Sequence, residues 1–136
     1  MRRDATGERR TRQRDVIRKV LDEAEGPLTV EGILERGQAL LPGLGIATVY
    51  RTVKRLVSRN EIQPVSLPDG KPRYEPEGRE HHFHFLCERC VRAWCLPACP
   101  LEGADTDILP GGFRASEHAL TVFGVCPACA EARRGR

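Results

Sequence analysis

The chain carries His81-His82-Phe83-His84-Phe85-Leu86-Cys87-Glu88-Arg89-Cys90, and Cys126-Pro127-Ala128-Cys129 follows further along it. Each C-x-x-C knuckle brings two thiolates to one side of a tight turn. Two knuckles therefore supply the four sulfurs of a tetrahedral structural Zn²⁺ site. The predicted ligands of this zinc are Cys87, Cys90, Cys126 and Cys129.

The histidines directly before the first knuckle indicate a second metal site. Side chains alternate between the two faces of a strand, so His82 and His84 point to one face, whereas His81 and Phe83 point to the other. We therefore expect His82 and His84 to chelate one ion and His81 to belong to a different environment. The fourth histidine of the chain, His118, lies in the same half.

Composition divides the chain into two unlike halves. At 136 residues it suits one ordinary domain or two small ones. Residues 1–73 hold 15 Lys/Arg against 10 Asp/Glu, whereas residues 74–136 hold 7 against 9. A basic half followed by an acidic half rich in metal ligands indicates that the two halves have different functions.

The sequence has no apolar run of transmembrane length, and no apolar segment follows the Arg-rich start. We therefore expect a cytoplasmic protein without a membrane partner. In that compartment, six cysteines, four of them at knuckle spacing, favour metal binding over disulfides.

The first half has the pattern of three helices and a hairpin. After a basic arm at 1–10, the first helix is predicted to begin at Thr11. The second is capped by Thr29 and the third runs from Ala47 to about Ser58. Asp69-Gly70 is a hairpin turn signal. The inward-facing residues of the second and third helices are predicted to be Ile33, Leu34, Leu40, Leu41, Val49, Val53, Leu56 and Val57.

This order is typical of a winged helix-turn-helix. We expect a DNA-binding domain over 1–77, a hinge near 76–79 and a metal-binding domain over 78–136. In the latter, 81–86 and 115–125 have strand patterns, and 101–108 is predicted to form a short helix.

The third helix has a strongly basic surface. From Gly45 to Arg59 there are four Lys/Arg and no acid, which suits a helix that enters the major groove of DNA. A solvated basic face on a core helix would have the same charge. The basic arm before it and the hairpin after it favour the DNA-binding interpretation.

Gly45-Ile46-Ala47-Thr48-Val49-Tyr50-Arg51-Thr52 resembles a signature of the ferric uptake regulator superfamily. The H-H-x-H-x-x-C-x-x-C run and the late G-V-C-P-A-C resemble that superfamily's second half. The likeness extends from about Thr11 to Cys129. It implies a dimeric, metal-dependent transcription factor, usually a repressor, with an α+β architecture of winged helix-turn-helix and small α/β dimerisation domain.

The resemblance also implies partners and site residues. Operator DNA is the expected partner, with Tyr50 and Arg51 on bases and phosphates and Arg10 near a minor-groove position. The full predicted DNA-binding set is Arg10, Thr48, Tyr50, Arg51, Lys54 and Arg55. The structural zinc of the family falls on the same four cysteines that the knuckle spacing predicts.

The family's sensory site corresponds here to Glu75, or alternatively Glu77, together with His82, His84 and Cys95. Cys95 is a departure, because an acid is usual at that position, and Leu28 stands where a helix histidine is often found. A third family site corresponds to His81, Glu102 and His118. Phe83 replaces an acid that some members use in it.

A thiolate at residue 95 suits Zn²⁺ better than Fe²⁺ or Mn²⁺, which prefer nitrogen and oxygen ligands. The sequence therefore favours a zinc-responsive repressor of metal-uptake genes. An iron- or manganese-responsive regulator and a peroxide sensor of the same family are the alternatives. Cys99 is open: it could replace Cys95 as ligand, pair with it as a redox switch, bind haem through Cys99-Pro100, or be inert.

Two other classes of function agree with only part of the sequence pattern. A zinc enzyme needs an open coordination position and a general base, and neither H-E-x-x-H nor a deaminase motif occurs in the sequence. A structural zinc adaptor for protein partners would explain the knuckles but not the basic helix. We therefore expect a DNA-binding homodimer that is not an enzyme.

Overall fold

The computed structural model describes residues 5–78, 82–101 and 108–134. The chain divides into two compact units, Met1–Gly78 and Arg79–Arg136. In the described residues, no helix is both long and apolar enough to cross a membrane. The elements in chain order are α1 (Ala5–Glu23), α2 (Val30–Leu40), α3 (Ile46–Ser58), β1 (Ile62–Ser66), β2 (Pro72–Pro76), β3 (Phe83–Cys87), β4 (Ala93–Leu96), β5 (Ile108–Leu109), a 3₁₀ turn (Pro110–Gly112), β6 (Phe113–Arg114), β7 (Thr121–Gly124) and α4 (Pro127–Arg134).

The first unit has the predicted three helices and hairpin around one apolar core. Apolar residues recur at helical spacing in each helix, and the faces that they form are buried against one another. Val49, Val53 and Leu56 face inward from α3 as predicted, and Val57 is partly buried against them. The buried core is Ile17, Val20, Leu21, Ala24, Leu28, Val30, Ile33, Leu44, Val49, Val53, Leu56 and Ile62.

Helix α1 begins at Ala5, so the prediction of a helix start at Thr11 and of an arm reaching residue 10 is wrong for residues 5–10. That segment contains good helix formers, and Glu8 in the first turn suits the positive end of the helix dipole. Residues 7–10 are exposed, so apolar periodicity does not mark this end of the helix. Arg10 is consequently a helical residue.

Helix α2 begins as predicted, because Thr29 Oγ1 accepts a hydrogen bond from the Gly32 N–H at 3.0 Å. Its C-terminal end differs from the prediction, because Leu40, which was expected to face inward, is 47% exposed. Gly37 is buried for a steric reason: a Cβ at this position would lie 2.5 Å from Leu44 Cδ2. The side chain of Leu44 fills the space that a larger residue in α2 would need.

The β1–β2 hairpin turns at Asp69-Gly70 as predicted, with Gly70 in the left-handed region at φ 74°. Arg73 is 2% exposed, and its guanidinium donates two hydrogen bonds of 2.7 Å to the carboxylate of Asp69. These bonds, partly offset by burial, lower the pKa of Asp69 below its ordinary value of 3.8. The hairpin joins the core through reciprocal backbone hydrogen bonds between Leu28 and Tyr74.

The second unit contains a three-stranded sheet in the order β4-β3-β7. β3 pairs antiparallel with β4 and parallel with β7. Strands were predicted over 81–86 and 115–125; the strands observed there are β3 and β7, which are shorter. The predicted helix over 101–108 lies mostly outside the described residues, at 102–107, and Ile108 is in a strand. β4 and α4 were not predicted.

Candidate metal centres and nucleic-acid interface

The parallel pairing of β3 and β7 brings the two knuckles together. Cys87 is the last residue of β3 and is paired with Gly124 of β7, two residues before Cys126. The sulfurs of Cys87, Cys90, Cys126 and Cys129 all lie within 4.8 Å of one another. Cys87 Sγ also accepts a hydrogen bond from the Cys126 N–H at 3.4 Å.

The distances in this cluster fit a zinc ion. With Zn–S bonds of about 2.3 Å, two sulfurs of a tetrahedral site are separated by about 3.8 Å. The Sγ atoms of Cys90 and Cys126 are 3.9 Å apart. The four cysteines therefore form a ligand set of the size and chemistry of a structural zinc site.

The four thiols do not share one acidity. Burial opposes ionisation of Cys87, but backbone N–H groups of Cys126, Cys90 and Arg89 outweigh it and lower the pKa of Cys87 to about 6. The pKa of Cys90 is raised, chiefly by burial. The pKa of Cys129 is raised to about 12, first by its contact with Cys126 and then by burial. Cys87 therefore ionises more readily than Cys90 and Cys129.

A second group of ligands lies on β3 and β4. His84 of β3 is directly opposite Cys95 of β4, and the Nε2 atoms of His82 and His84 are 3.2 Å apart. One ligand atom from each of the three residues lies within 4.8 Å of the others. Two nitrogens of a tetrahedral zinc site are separated by about 3.3 Å, so the histidine pair also has the spacing of metal ligands.

Glu75 and Glu77, the two carboxylates considered for the sensory site, differ in burial. Glu75 of β2 is 2% exposed, and its Oε1 accepts a hydrogen bond from Gln63 Nε2 at 3.0 Å. Glu77 is exposed. A buried carboxylate is costly unless it is hydrogen-bonded or neutralised, and the Gln63 side chain provides Glu75 with such a hydrogen bond. Leu28, at the position of the histidine often found in the family, belongs to the apolar core.

The third predicted site is only partly described, because His81 and Glu102 lie outside the described residues. His118 precedes β7, and its Nε2 is 3.5 Å from the Sγ of Cys99. Cys99 is 5% exposed. Its contact with His118 was missed because the two residues are distant in sequence. Cys95 and Cys99, only four positions apart, thus neighbour different histidines.

The predicted DNA-binding residues lie on the outer surface of α1 and α3. Tyr50 is 54% exposed, and Arg10, Arg51, Lys54 and Arg55 are exposed as well. Thr48 is half-buried, and its Oγ1 accepts a hydrogen bond from Arg51 at 3.3 Å. The first unit therefore presents a basic helix surface of the kind that binds nucleic acid.

Known proteins resemble this chain over most of its length. The sequence profile of the Ferric uptake regulator family matches residues 5–123. A ferric uptake regulation protein of Rhizobium leguminosarum bv. viciae is 32% identical over 120 residues, which cover 88% of this chain and 84% of that protein.

Solved structures give the same result. A structure described as a zinc-bound manganese uptake regulator is 29% identical, has a TM-score of 0.76 and matches over 88% of this chain and 94% of the other. FurB of M. tuberculosis, described as a zinc uptake regulator, is 25% identical with a TM-score of 0.53, over 93% and 99% of the two chains.

These similarities agree with the fold, with its N-terminal winged helix and small second domain, and with the cysteine cluster. The names of the relatives describe regulators of metal uptake and not enzymes, which confirms the prediction that this chain is a regulator. The chain belongs to the ferric uptake regulator family.

Proposed function

We propose that this protein is a zinc-responsive transcriptional repressor of metal-uptake genes that acts in the cytoplasm as a homodimer on operator DNA. Its winged-helix domain is residues 1–77 and its dimerisation domain residues 78–136. The observation that carries the zinc assignment is the thiol of Cys95 in one cluster with His82 and His84. Zn²⁺ accepts mixed thiolate and imidazole ligands, whereas Mn²⁺ and Fe²⁺ favour harder donors.

We assign Glu75 as the fourth ligand of this sensory site. Its burial and its hydrogen bond from Gln63 give it the supported position typical of ligating carboxylates. When bound, the ion supplies a positive charge that the four side chains share.

The response then follows from linkage. If metal occupancy favours the arrangement in which the two recognition helices of a dimer fit successive major grooves, operator affinity rises with occupancy. DNA must in turn tighten metal binding by the same factor. Tyr50 and Arg51 are assigned to bases and phosphates of the operator, Arg10 to a position near the minor groove, and Thr48, Lys54 and Arg55 to further contacts along the duplex.

The surface of the second unit supports the homodimer. β7 is an edge strand of the described three-stranded sheet. Val122 and Phe123 on it are 37% and 46% exposed. Unpaired edge strands with exposed apolar side chains are sites at which a second chain can pair.

Iron and manganese are the alternative regulatory metals, because relatives at comparable identity are called ferric or manganese uptake regulators. The thiol of Cys95 is the feature of this chain that favours zinc over them. Operator fragments would be selected from a random duplex pool and titrated with Zn²⁺, Mn²⁺ and Fe²⁺ at buffered free concentrations. We expect Zn²⁺ to induce DNA binding at the lowest free concentration. Equal or tighter induction by Mn²⁺ or Fe²⁺ would overturn the zinc assignment, and metal-independent binding would overturn the proposed function.

A further inference from the structure

A cleft of about 410 Å³ lies between α1 and α3 in the first unit. Its wall on α1 contains Arg10 and Arg14, and its opposite wall contains Arg51 and Arg55 of α3 and Arg59, the residue just after the end of α3. Among the described residues that line it, none is acidic. Five guanidinium groups around one open cleft repel one another, so a polyanion that neutralises them would bind there favourably.

The cleft is a different surface from the face that carries Tyr50. Along α3 the lining residues recur at helical spacing from Thr48 to Leu56, and Arg59 continues the same stripe just after the helix ends. At 3.6 residues per turn, Tyr50 lies about 200° around the helix axis from Thr48 and about 140° from Arg55. The hydrogen bond from Arg51 to Thr48 Oγ1 holds that arginine towards the cleft. Helix α3 therefore has one aromatic face and one arginine face.

Arginine suits phosphate in particular. Its planar guanidinium can donate two parallel hydrogen bonds to phosphate oxygens and stays charged at all relevant pH values. Contacts to phosphates position a protein on the duplex, whereas contacts to base edges carry sequence information. A cleft rich in arginine therefore suits the sugar-phosphate strand rather than base edges.

We infer that the α1–α3 cleft binds one sugar-phosphate strand of double-stranded DNA, with Arg14 and Arg59 as phosphate contacts beyond the residues assigned above. This inference rests on the proposed function. It gives Arg51 and Arg55 the same role as phosphate contacts, and it leaves sequence reading to the face that carries Tyr50.

The test measures binding to a labelled poly(dA-dT) duplex and to a selected operator duplex over a range of KCl concentrations. Each of Arg14→Ala and Arg59→Ala is expected to reduce the slope of log affinity against log salt by about 0.9. The loss of affinity should be equal on the two duplexes. Arg36→Ala, which removes an exposed arginine from α2, is the matched control and should leave the slope unchanged. Arg14→Lys should retain the slope because it retains the charge.

Tyr50→Ala separates the two faces of α3. It should lower the ratio of operator to poly(dA-dT) affinity while leaving the salt slope intact. Wild-type slopes in both Arg14→Ala and Arg59→Ala would overturn the inference. So would micromolar binding of pyrophosphate that Arg14→Ala abolishes without changing the DNA slope, because the cleft would then hold a small phosphate ligand. If instead the wild-type protein binds DNA without a metal response, the proposed function fails, and the slopes still decide the role of the cleft.

Discussion

Gln63 Nε2 donates a hydrogen bond of 3.0 Å to Oε1 of Glu75, and the two residues face each other across the β1–β2 hairpin. Gln63 therefore orients a carboxylate that we assign to the sensory metal. β1 begins four residues after α3 ends. The residue that positions the ligand is thus close in sequence to the recognition helix.

Gln63→Leu should weaken the sensory metal site, because the Glu75 carboxylate would lose the donor that orients it. Loss of such supporting hydrogen bonds typically costs about 10- to 100-fold in metal affinity. Chelator competition would measure the affinity, with the zinc of the four-cysteine site counted separately. Gln38→Leu is the control, since Gln38 Nε2 donates to the Leu44 carbonyl at 3.0 Å, away from Glu75. Unchanged affinity in Gln63→Leu would mean that Gln63 does not position the ligand.

Cys95→Ala should retain the structural zinc yet lose zinc-dependent DNA binding, because it removes the thiolate from the histidine cluster. Cys95→Asp should restore DNA binding and shift the preference from Zn²⁺ towards Mn²⁺ or Fe²⁺. Cys99→Ala is the matched control: Cys99 contacts His118 instead, so the zinc response should persist. Metal-dependent gel shifts on the three variants measure whether the zinc response requires the thiol of Cys95. A wild-type zinc response in Cys95→Ala would remove the main support for zinc.

Cys126→Ser should abolish the structural zinc and unfold the second unit, because metal binding and folding are one equilibrium at such sites. The variant removes a zinc ligand beside Cys87, whose sulfur accepts the Cys126 N–H. Zinc content by mass spectrometry and dimer mass by light scattering would be compared with those of Cys99→Ser. A dimeric, folded Cys126→Ser protein without this zinc would disprove the structural role.

Zinc binding to the apo four-cysteine site should release protons at about pH 7.5, with Cys90 and Cys129 among their sources, since thiolates are the metal-binding form. Cys129, with a pKa of about 12, is protonated at that pH, whereas Cys87, with a pKa of about 6, is already ionised. Affinity should therefore rise with pH, and should fall more steeply once the pH drops below about 6 and Cys87 binds a proton as well. Chelator competition at several pH values measures this slope, and a pH-independent affinity would contradict the prediction.

Asp69→Asn should destabilise the first unit by about 1–3 kcal/mol, because the buried guanidinium of Arg73 would lose its charged partner. The lowered pKa of Asp69 means that the pair stabilises the folded state above the ordinary carboxyl value of 3.8. This contribution is lost as pH falls through the lower folded-state pKa. Urea unfolding would measure it, with Asp22→Asn as control, since that carboxylate makes an exposed ion pair with Arg18. Equal effects of the two variants would argue against a stabilising role of the Asp69–Arg73 pair.

The features that the sequence predicts best are those with local causes. The Thr29 cap, the Asp69-Gly70 turn and the pairing of His82 with His84 follow from short-range geometry, and the structure contains all three. Helix α4 could have been predicted too. Its first residue is Pro127, and proline is favoured at the first position of a helix. From the sequence, this segment is interpreted only as a metal-binding knuckle.

Features that depend on distant segments could not be predicted. The parallel pairing of β3 with β7, the Cys99–His118 contact and the arginine cleft each join residues that no local pattern connects. The start of α1 was placed too late because apolar periodicity marks only the buried part of a helix. The burial of Glu75 rather than Glu77 depends on how the hairpin packs.

The parallel register of β3 and β7 has a consequence for biosynthesis. The first unit has all of its core residues once Ile62 and the hairpin have been made, so it can fold while the ribosome is still translating the rest. The second unit cannot, because half of its zinc ligands come with Cys126 and Cys129. Nascent chains would therefore carry a folded first unit before the four-cysteine cluster is complete, and zinc supply would act on the final step of maturation.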